Sequence, residues 1–355
     1  MQSLASSAIV AKAHALFGQR LTAADYDELL RCKSVSAVAL YLKTQTVYAD
    51  TLEDVLPQSI HRGRLETLLK ERLLHEYAKL SRYESTVGKS FYQYFIMRGE
   101  VEQLLSCLSL LRSPNHDEYL LRMPAFFDRH TKLDLFRLAQ AKSAAQVLEA
   151  VRGTPYEAAL APWCTAGEGE EIPLAQVDTA LYRLLYESAK KLILKQYSGK
   201  HLNEVARFLG IHLDMLAITE LYRLKRMGQT DALQLRGKVY MGLSNFRKRQ
   251  QEQLLAAQTA QELLQYLQQT GYAAHFAQED FAYVEDAAQR AEYAYAAWVF
   301  RYSRNATVVM LAYLFLAETE TNNIIHIIEG IRYALPPGEI EKMLVGVPGK
   351  EGTAR

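Results

Sequence analysis

Catalytic motifs are nearly matched at several points of this chain, and each near match lacks a residue that its chemistry needs. His75-Glu76 begins like the H-E-x-x-H helix that binds zinc, but Lys79 stands where the second histidine ligand would be. The segment 346–351 contains two glycines and a lysine, yet its spacing differs from that of the phosphate-binding loop G-x-x-x-x-G-K-[ST]. Gly167 and Gly169 stand among acidic residues, which would repel a dinucleotide pyrophosphate. These mismatches disfavour an enzyme.

Metal and redox chemistry have as little support in the sequence. The three cysteines, Cys32, Cys107 and Cys164, are far apart, so the chain contains neither a C-x-x-C pair nor a disulfide framework. A reducing cytoplasm suits such cysteines best. No G-x-S-x-G nucleophile elbow occurs either. We therefore expect no catalytic residue, no metal ligand and no cofactor.

One stretch of unusual charge remains, between residues 223 and 249. It contains eight basic residues against one acidic residue, Asp231, in a chain whose formal net charge is +1. Nucleic acid is a poor partner because no recognised nucleic-acid motif accompanies the charge. An acidic protein surface or anionic headgroups at a membrane edge would suit it, and a solvated face is the plain alternative. The candidate interface residues are Arg223, Lys225, Arg226, Arg236, Lys238, Arg247, Lys248 and Arg249.

The elements that must position these residues are predicted to be helices. Glycine and proline number only 18 and 9 among 355 residues, and few breakers in a long chain favour long helices over a turn-rich β fold. Apolar residues make up 49%, which is enough for a large core. The longest apolar run, 308–317, is about half the length of a membrane span. We expect an all-α protein that does not cross a membrane and whose residues 1–20 form a helix, not a signal peptide.

A helical segment occurs three times along the chain. The stretch that starts at Leu30 aligns without gaps with those that start at Leu138 and Leu254, and two leucines and a Thr-x-Tyr pattern are identical in all three. Glycine or proline interrupts the second and third patterns, so we expect a helix end and a reversal there, with the tyrosine packed on the helix end. The first copy lacks these breakers. The three patterns are Thr46–Tyr48, Thr154–Tyr156 and Thr270–Tyr272.

Longer helical segments follow each copy. They are predicted to start near Leu65, Val177 and Val284, and a closing helix is predicted near Val101, Asp214 and Asn323. We interpret the chain as three helical-bundle repeats, 1–115, 116–231 and 232–355. No helix is expected to be apolar on all sides, so the apolar stripes must close on one another. A short helix over 338–344 and a frayed tail over 345–355 are expected at the end.

The three bundles, the Thr154–Tyr156 turn and the segment 318–330 together resemble a known family. In that segment Glu318, Asn323, Ile324 and Ile327 form an E-x-x-x-x-N-I-x-x-I pattern that a glycine follows. The combination is similar to the C-type central-stalk subunit of the archaeal and bacterial V/A-type ATPases, whose homologue in the vacuolar enzyme is the d-type subunit. The similarity covers nearly the whole chain, although the first copy lacks the Gly/Pro turn and residues 345–355 have no counterpart.

The resemblance implies a function as well as a fold. It implies three pseudo-threefold-related helical bundles that form a funnel or socket without an active site. In this family the socket lies at the cytoplasmic face of the membrane, on the proteolipid ring, and receives the foot of the central shaft of D- and F-type subunits. One copy per complex would transmit torque for proton or sodium transport. The alternative is a free helical-repeat scaffold that binds a peptide or protein.

Overall fold

The fold is helical throughout residues 2–86, 91–111, 129–164, 172–277, 281 and 283–349, which are the residues that the computed structural model describes. Within these ranges there are sixteen α-helices, two short 3₁₀ turns and no β-strand, which confirms the all-α prediction. The predicted N-terminal helix is also present. The helices are α1 (Gln2–Phe17), α2 (Ala23–Arg31), α3 (Val35–Gln45), α4 (Arg62–Thr86), α5 (Tyr92–Leu110), α6 (Leu135–Gln140), α7 (Ala144–Ala150), α8 (Pro155–Cys164), α9 (Leu174–Gln196), α10 (Gly199–Arg226), α11 (Ala232–Lys238), α12 (Lys248–Ala256), α13 (Ala260–Leu267), α14 (Val284–Tyr302), α15 (Ala306–Arg332) and α16 (Pro337–Lys342).

The same kind of cap starts one short helix in each third of the chain. Ser34, Ser143 and Thr259 precede α3, α7 and α13, and each hydroxyl accepts a hydrogen bond from the backbone N–H three residues further on. The donor–acceptor distances are 3.1, 3.3 and 3.1 Å. Such hydroxyls satisfy one of the donors that the first turn of a helix leaves free. Each of these three helices leads into one of the Thr-x-Tyr patterns.

Two long helices then follow in each third of the chain. The first of each pair, α4, α9 and α14, begins close to its predicted start. The second, α5, α10 and α15, begins 9 to 17 residues before its predicted start, because the helix caps lie upstream of the regular apolar spacing. Asn305, for example, caps α15 by accepting a hydrogen bond from the Thr307 N–H at 3.2 Å.

The six long helices pack in a closed ring. Within each pair the helices form a hairpin, and between pairs α5 packs on α9, α10 packs on α14, and α15 packs on α4. The last of these contacts joins the two ends of the chain. Its hydrogen bonds include one from the Tyr313 hydroxyl to the Glu76 carboxylate at 2.7 Å. The N-terminal helix α1 covers this junction by packing on both α4 and α15.

The three hairpins turn at the same end of the ring. Phe91, which precedes α5, lies with its ring centroid 6.4 Å from that of Tyr197, which precedes α10. The Tyr197 hydroxyl in turn lies 3.0 Å from the hydroxyl of Thr307 at the start of α15. We call this end, where α9 joins α10 and α14 joins α15, the hairpin end.

Helix α15 is more deeply buried than the sequence pattern predicts. Every residue from 306 to 314 is buried, although α15 carries polar residues further along and, as expected, is not apolar on all sides. The physical reason is its position, since α1, α3, α4, α10, α14 and α16 all contact it. The longest apolar run of the sequence, 308–317, is therefore protein core. None of the described helices is both long and apolar enough to cross a bilayer.

The tail after α16 is not frayed as far as residue 349, which corrects the prediction for this segment. Val345 and Val347 are buried, and the side chain of Asn323 both donates to the Val345 carbonyl, at 2.7 Å, and accepts from its N–H, at 3.0 Å. A buried amide that satisfies both backbone groups holds the segment against α15. The prediction for residues 350–355 lies outside the described residues.

Candidate partner-binding site

Each Thr-x-Tyr pattern forms the same turn, including the first copy without glycine or proline. The threonine hydroxyl donates to a carbonyl of the preceding helix turn, at 2.7, 2.6 and 2.7 Å for Thr46, Thr154 and Thr270. The tyrosine N–H then bonds back to the same threonine oxygen at 3.2 to 3.3 Å. These local bonds replace the backbone pairing that ends with the helix. The turn therefore places each tyrosine without help from a glycine.

Each of these tyrosines hydrogen-bonds to a buried carboxylate of another third of the chain. The Tyr48 hydroxyl donates to Glu320 on α15 at 3.0 Å, and the Tyr156 hydroxyl donates to Glu100 on α5 at 2.5 Å. Tyr272 donates to Asp214 on α10 at 2.6 Å. Burial and then the neighbouring carboxylate raise the pKa of all three phenols, which therefore keep the donated proton. We call these three tyrosine–carboxylate contacts the joints.

The carboxylate of each joint also accepts a hydrogen bond from the backbone of a loop in the same third of the chain as the tyrosine. Glu320 accepts from the Leu21 N–H at 2.9 Å, Glu100 from the Lys132 N–H at 2.8 Å, and Asp214 from the Asn245 N–H at 3.1 Å. Burying a carboxylate is costly unless hydrogen bonds satisfy it, so these bonds fix the loops to the long helices. The joints therefore connect each third of the chain to another, and the Tyr48 joint closes the ring.

Another polar residue lies two positions before each joint carboxylate. These residues are Arg98, His212 and Glu318. Residues two apart in a helix point to opposite sides, so these side chains face away from the joints and toward the interior of the ring. Arg98 forms an ion pair with Glu318, although α5 and α15 lie on opposite sides of α4. The Tyr77 hydroxyl of α4 lies 3.5 Å from Glu318. Charged side chains therefore meet inside the ring, next to apolar residues of the core.

A cavity of about 620 Å³ lies beside the Arg98–Glu318 ion pair. Its wall is formed by α4, α5 and α15 together with Tyr182 of α9, and it includes Arg98, Glu102 and Glu318. On α4 the wall extends from Gly63 to Tyr77, which is the part of the helix away from the hairpin end. The side chains of Arg98 and Glu318 remain 21% and 24% exposed, so solvent reaches them. A cavity of this kind can receive a side chain or a helix end from a partner.

A second ion pair, His212 with Glu292, lies between α10 and α14. The His212 Nδ1 atom is 2.8 Å from the Glu292 carboxylate. Burial works against the charged form of His212, but the adjacent carboxylate outweighs burial and raises the pKa of the imidazole. Burial also raises the pKa of Glu292. The contact between these two side chains joins α10 to α14.

The joint at Asp214 has a distinct electrostatic character. Burial raises the pKa of Asp214 to about 6, against the opposing effect of its hydrogen bonds from Ser244, Tyr272 and Asn245. At neutral pH this carboxylate is ionised, and in mild acid it takes up a proton. The Asp214 joint is therefore expected to respond to pH between its ordinary pKa and 6.

The residues of the basic stretch are brought to one region but are not equally available. Lys225 is buried, and its amine bonds to the Leu255 and Ala257 carbonyls that end α12. Arg223 pairs with Glu285, Arg236 pairs with Glu252, and Arg226 donates to the Phe281 carbonyl at 3.0 Å. The remaining four, at the surface, are Lys238, whose amine donates to Gln229, and Arg247, Lys248 and Arg249 at the start of α12.

A model of one protein family matches most of the chain. The model of the family described as ATP synthase (C/AC39) subunit matches residues 9–343. The chain belongs to this family. A comparison with curated proteins found no match. The chain is thus a C/AC39 subunit of the V/A-type ATPases, as the sequence resemblance indicated, and the match spans α1 to α16 with all three joints.

Ion pairs and tyrosines make up the site of this C/AC39 subunit. Within the described ranges no group of three His, Cys, Asp or Glu side chains is arranged to hold a metal ion. Sequence reasoning found the Thr-x-Tyr tyrosines but missed their carboxylate partners and the interior residues Arg98, His212 and Glu318. The available signal was an acidic residue at a similar place in each closing helix, with a polar residue two positions before it.

Proposed function

We propose that this C/AC39 subunit is the non-catalytic central-stalk part of a rotary ATPase. It is a socket that links the central shaft to the membrane proteolipid ring and transmits torque for proton or sodium transport. The observation that carries the proposal is the closed ring of six long helices with a cavity between α4, α5 and α15, in a chain that belongs to this family. The partners are the D- and F-type shaft subunits and the proteolipid ring, with one copy of the socket at the cytoplasmic face of the membrane.

The joints suit a part that carries a turning load. Each joint ties a buried carboxylate to a phenol and to a backbone N–H, and two of its members are far apart in sequence. Charge-assisted hydrogen bonds are short and directional, so they resist sliding of one helix pair along the next. We infer from their recurrence that the protein has three pseudo-threefold-related units, 1–115, 116–231 and 232–355, which share the load around the ring.

The cavity is the proposed shaft-binding surface, and filling it tests the proposal. Ser106 and Asn322 line the cavity and are partly exposed, so Ser106→Trp or Asn322→Trp places an indole inside it without disturbing a joint. We expect each variant to lower the affinity for purified D- and F-type subunits at least about tenfold, since a filled pocket loses a central contact. Gln265→Trp on the exposed face of α13 is the matched control.

Binding of the shaft subunits is measured by pull-down on the immobilised chain and by calorimetry, with circular dichroism to verify folding. Shaft binding that both cavity variants leave unchanged would contradict the socket proposal. Saturable binding of a short peptide, without any binding of the shaft subunits, would instead favour the free scaffold.

The exposed end of the basic stretch is a second proposed contact, with an acidic surface of another protein of the complex. Arg247, Lys248 and Arg249 lie side by side at the start of α12, where acidic residues are favourable for the helix. Arg247→Glu, Lys248→Glu and Arg249→Glu together should therefore fold normally and weaken assembly, with the largest effect at low salt. Assembly of the triple variant at the wild-type level in low salt would exclude this contact.

A further inference from the structure

Stacked aromatic side chains are exposed at the hairpin end. Tyr295, Trp298 and Tyr302 lie three and four residues apart on α14, so they share one face of that helix. Their rings form a row, with centroid separations of 6.1 and 6.0 Å. Trp298 is 57% exposed and Tyr302 is 62% exposed. Rings of this type combine an apolar body with a polar edge, and they suit a boundary between water and an apolar layer.

Basic residues surround this aromatic row. The segments 190–204 and 298–305 contain six lysines and arginines against one acidic residue, Glu204. Lys191, Lys195, Arg301 and Arg304 are exposed, and none of them forms an ion pair with a residue in the described ranges. On α9 an exposed apolar residue, Leu194, stands between the two lysines.

These groups form one surface because the hairpins meet. The Tyr197 hydroxyl, just after α9, lies 3.0 Å from the hydroxyl of Thr307, in the first turn of α15. Asn305 at the start of α15 donates to Glu204 on α10 at 3.0 Å, and Glu204 also pairs with Lys200 at 3.7 Å. The hairpin-end surface therefore combines exposed groups from the ends of α9 and α14 and the start of α10. We define it as Lys191, Leu194, Lys195, Lys200, Trp298, Arg301, Tyr302 and Arg304.

We infer that the hairpin-end surface binds the headgroup layer of an anionic phospholipid membrane. Lysine and arginine near such a layer are attracted by its negative surface potential. Exposed tryptophan, tyrosine and leucine gain by entering the boundary between headgroups and acyl chains. An acidic protein surface would match the basic residues alone and would leave the stacked rings and Leu194 in water. A layer that is both anionic and apolar matches the whole surface.

The inference rests on the proposed function, which places the protein at a membrane, and it gives the socket an orientation. On α4 the cavity wall starts at Gly63, at the end of the helix away from the hairpin, so we orient the socket with the hairpin end toward the membrane and the cavity toward the shaft. The basic stretch is spread along α10. Arg226 lies about 40 Å from Gly199 at the usual rise per residue, whereas Arg247–Arg249 follow Asn245, whose side chain donates to the Arg207 carbonyl at 3.1 Å.

The test is vesicle binding by the isolated full-length chain. The protein contains two tryptophans, so Trp163→Phe leaves Trp298 as the single fluorescent reporter on the surface in question. We expect sedimentation with mixed phosphatidylserine–phosphatidylcholine vesicles, little with phosphatidylcholine alone, and a blue shift of Trp298 emission on binding. Salt should weaken the binding.

Matched triple variants isolate the surface. Lys191→Gln, Lys195→Gln and Arg301→Gln together should lower the partition coefficient about 100-fold, at about 1 kcal/mol for each basic residue near an anionic surface. Arg223→Gln, Arg236→Gln and Lys238→Gln remove the same charge near the opposite end of α10 and should leave binding within about twofold of wild type by the same reasoning.

The inference would be overturned by an equal loss of vesicle binding in the two triple variants, by an absence of vesicle binding, or by an unshifted Trp298 emission. If the Lys191, Lys195 and Arg301 triple variant assembled poorly although the wild type bound no vesicles, an acidic protein partner would be indicated. That result would overturn the inference as well. Neither result would affect the proposed function, because that proposal is tested by shaft binding and by co-purification rather than by vesicles.

Discussion

The joint that closes the ring is expected to stabilise the protein by about 2 kcal/mol, and Tyr48→Phe measures it. The substitution removes only the hydroxyl that donates to Glu320 at 3.0 Å. The guanidinium of Arg72, 4.8 Å from the ring centroid of Tyr48, keeps its contact with a phenylalanine ring. The change therefore isolates one buried hydrogen bond to a carboxylate.

The magnitude follows from what Glu320 keeps. A hydrogen bond to a charged group contributes about 1.5 to 3 kcal/mol, and the donors that remain are the Leu21 N–H at 2.9 Å and Arg20 Nε at 3.1 Å. Because the carboxylate is still partly satisfied, we expect the middle of that range, about 2 kcal/mol. Exposed Tyr83 provides the matched control, and Tyr83→Phe should change the free energy of unfolding by less than about 0.5 kcal/mol.

Urea unfolding followed by circular dichroism measures these free energies. In a double-mutant cycle, Tyr48→Phe and Glu320→Gln should be coupled by about 1.5 kcal/mol or more, since they share one hydrogen bond. Tyr48→Phe and Glu100→Gln belong to different joints and should be additive within about 0.5 kcal/mol. A Tyr48→Phe variant as stable as wild type, with no coupling to Glu320→Gln, would refute the proposed role of the joint in closing the ring.

Two further predictions concern pH and packing. Burial raises the folded-state pKa of Asp214 to about 6, from 3.8. The folded protein therefore binds this proton more tightly than the unfolded chain does. The stability gained from the bound proton is present at low pH and falls as pH rises from about 4 to 6. Relative to Asp214→Asn, the wild type should lose up to about 3 kcal/mol of unfolding free energy over this range, and a difference independent of pH would contradict the shifted pKa. A Cβ atom on Gly330 would lie 2.5 Å from Ile340 of α16, so Gly330→Ala should lower the free energy of unfolding by about 1 to 3 kcal/mol. The control is Gly237→Ala, which should be tolerated because a Cβ atom there would contact nothing within 4 Å. Thermal denaturation of the two glycine variants compares them directly, and equal melting temperatures would contradict the packing of α16 on α15.

Local features of the fold could be predicted from the sequence because local chemistry determines them. The hydroxyl caps, the Thr-x-Tyr turns and the first long helix of each pair depend on residues within one or two turns of each other. The joints could not be predicted in this way. Tyr48 and Glu320 are 272 positions apart, and a single sequence contains no signal that pairs one tyrosine with one of many carboxylates.

The burial of α15 and of the tail was missed for a related reason. A helix appears amphipathic in sequence when it carries some polar residues, but polar residues on α15 are buried with partners, as Asn323 is with Val345 and Glu320 with Tyr48. For the basic stretch the sequence led to the opposite error, because a buried residue was expected to be exposed. Sequence charge alone did not separate Lys225, which is buried against helix carbonyls, from exposed Arg247–Arg249.

One measurement tests most directly whether the protein links a shaft to a membrane ring. The tagged chain is purified from its native membranes, and every co-purifying protein is identified by mass spectrometry. The proposed function predicts stoichiometric recovery of the proteolipid ring together with the D- and F-type shaft subunits, and loss of the shaft subunits with Asn322→Trp but not with Gln265→Trp. Recovery of the chain alone, or with soluble partners and no other part of a rotary ATPase, would contradict it.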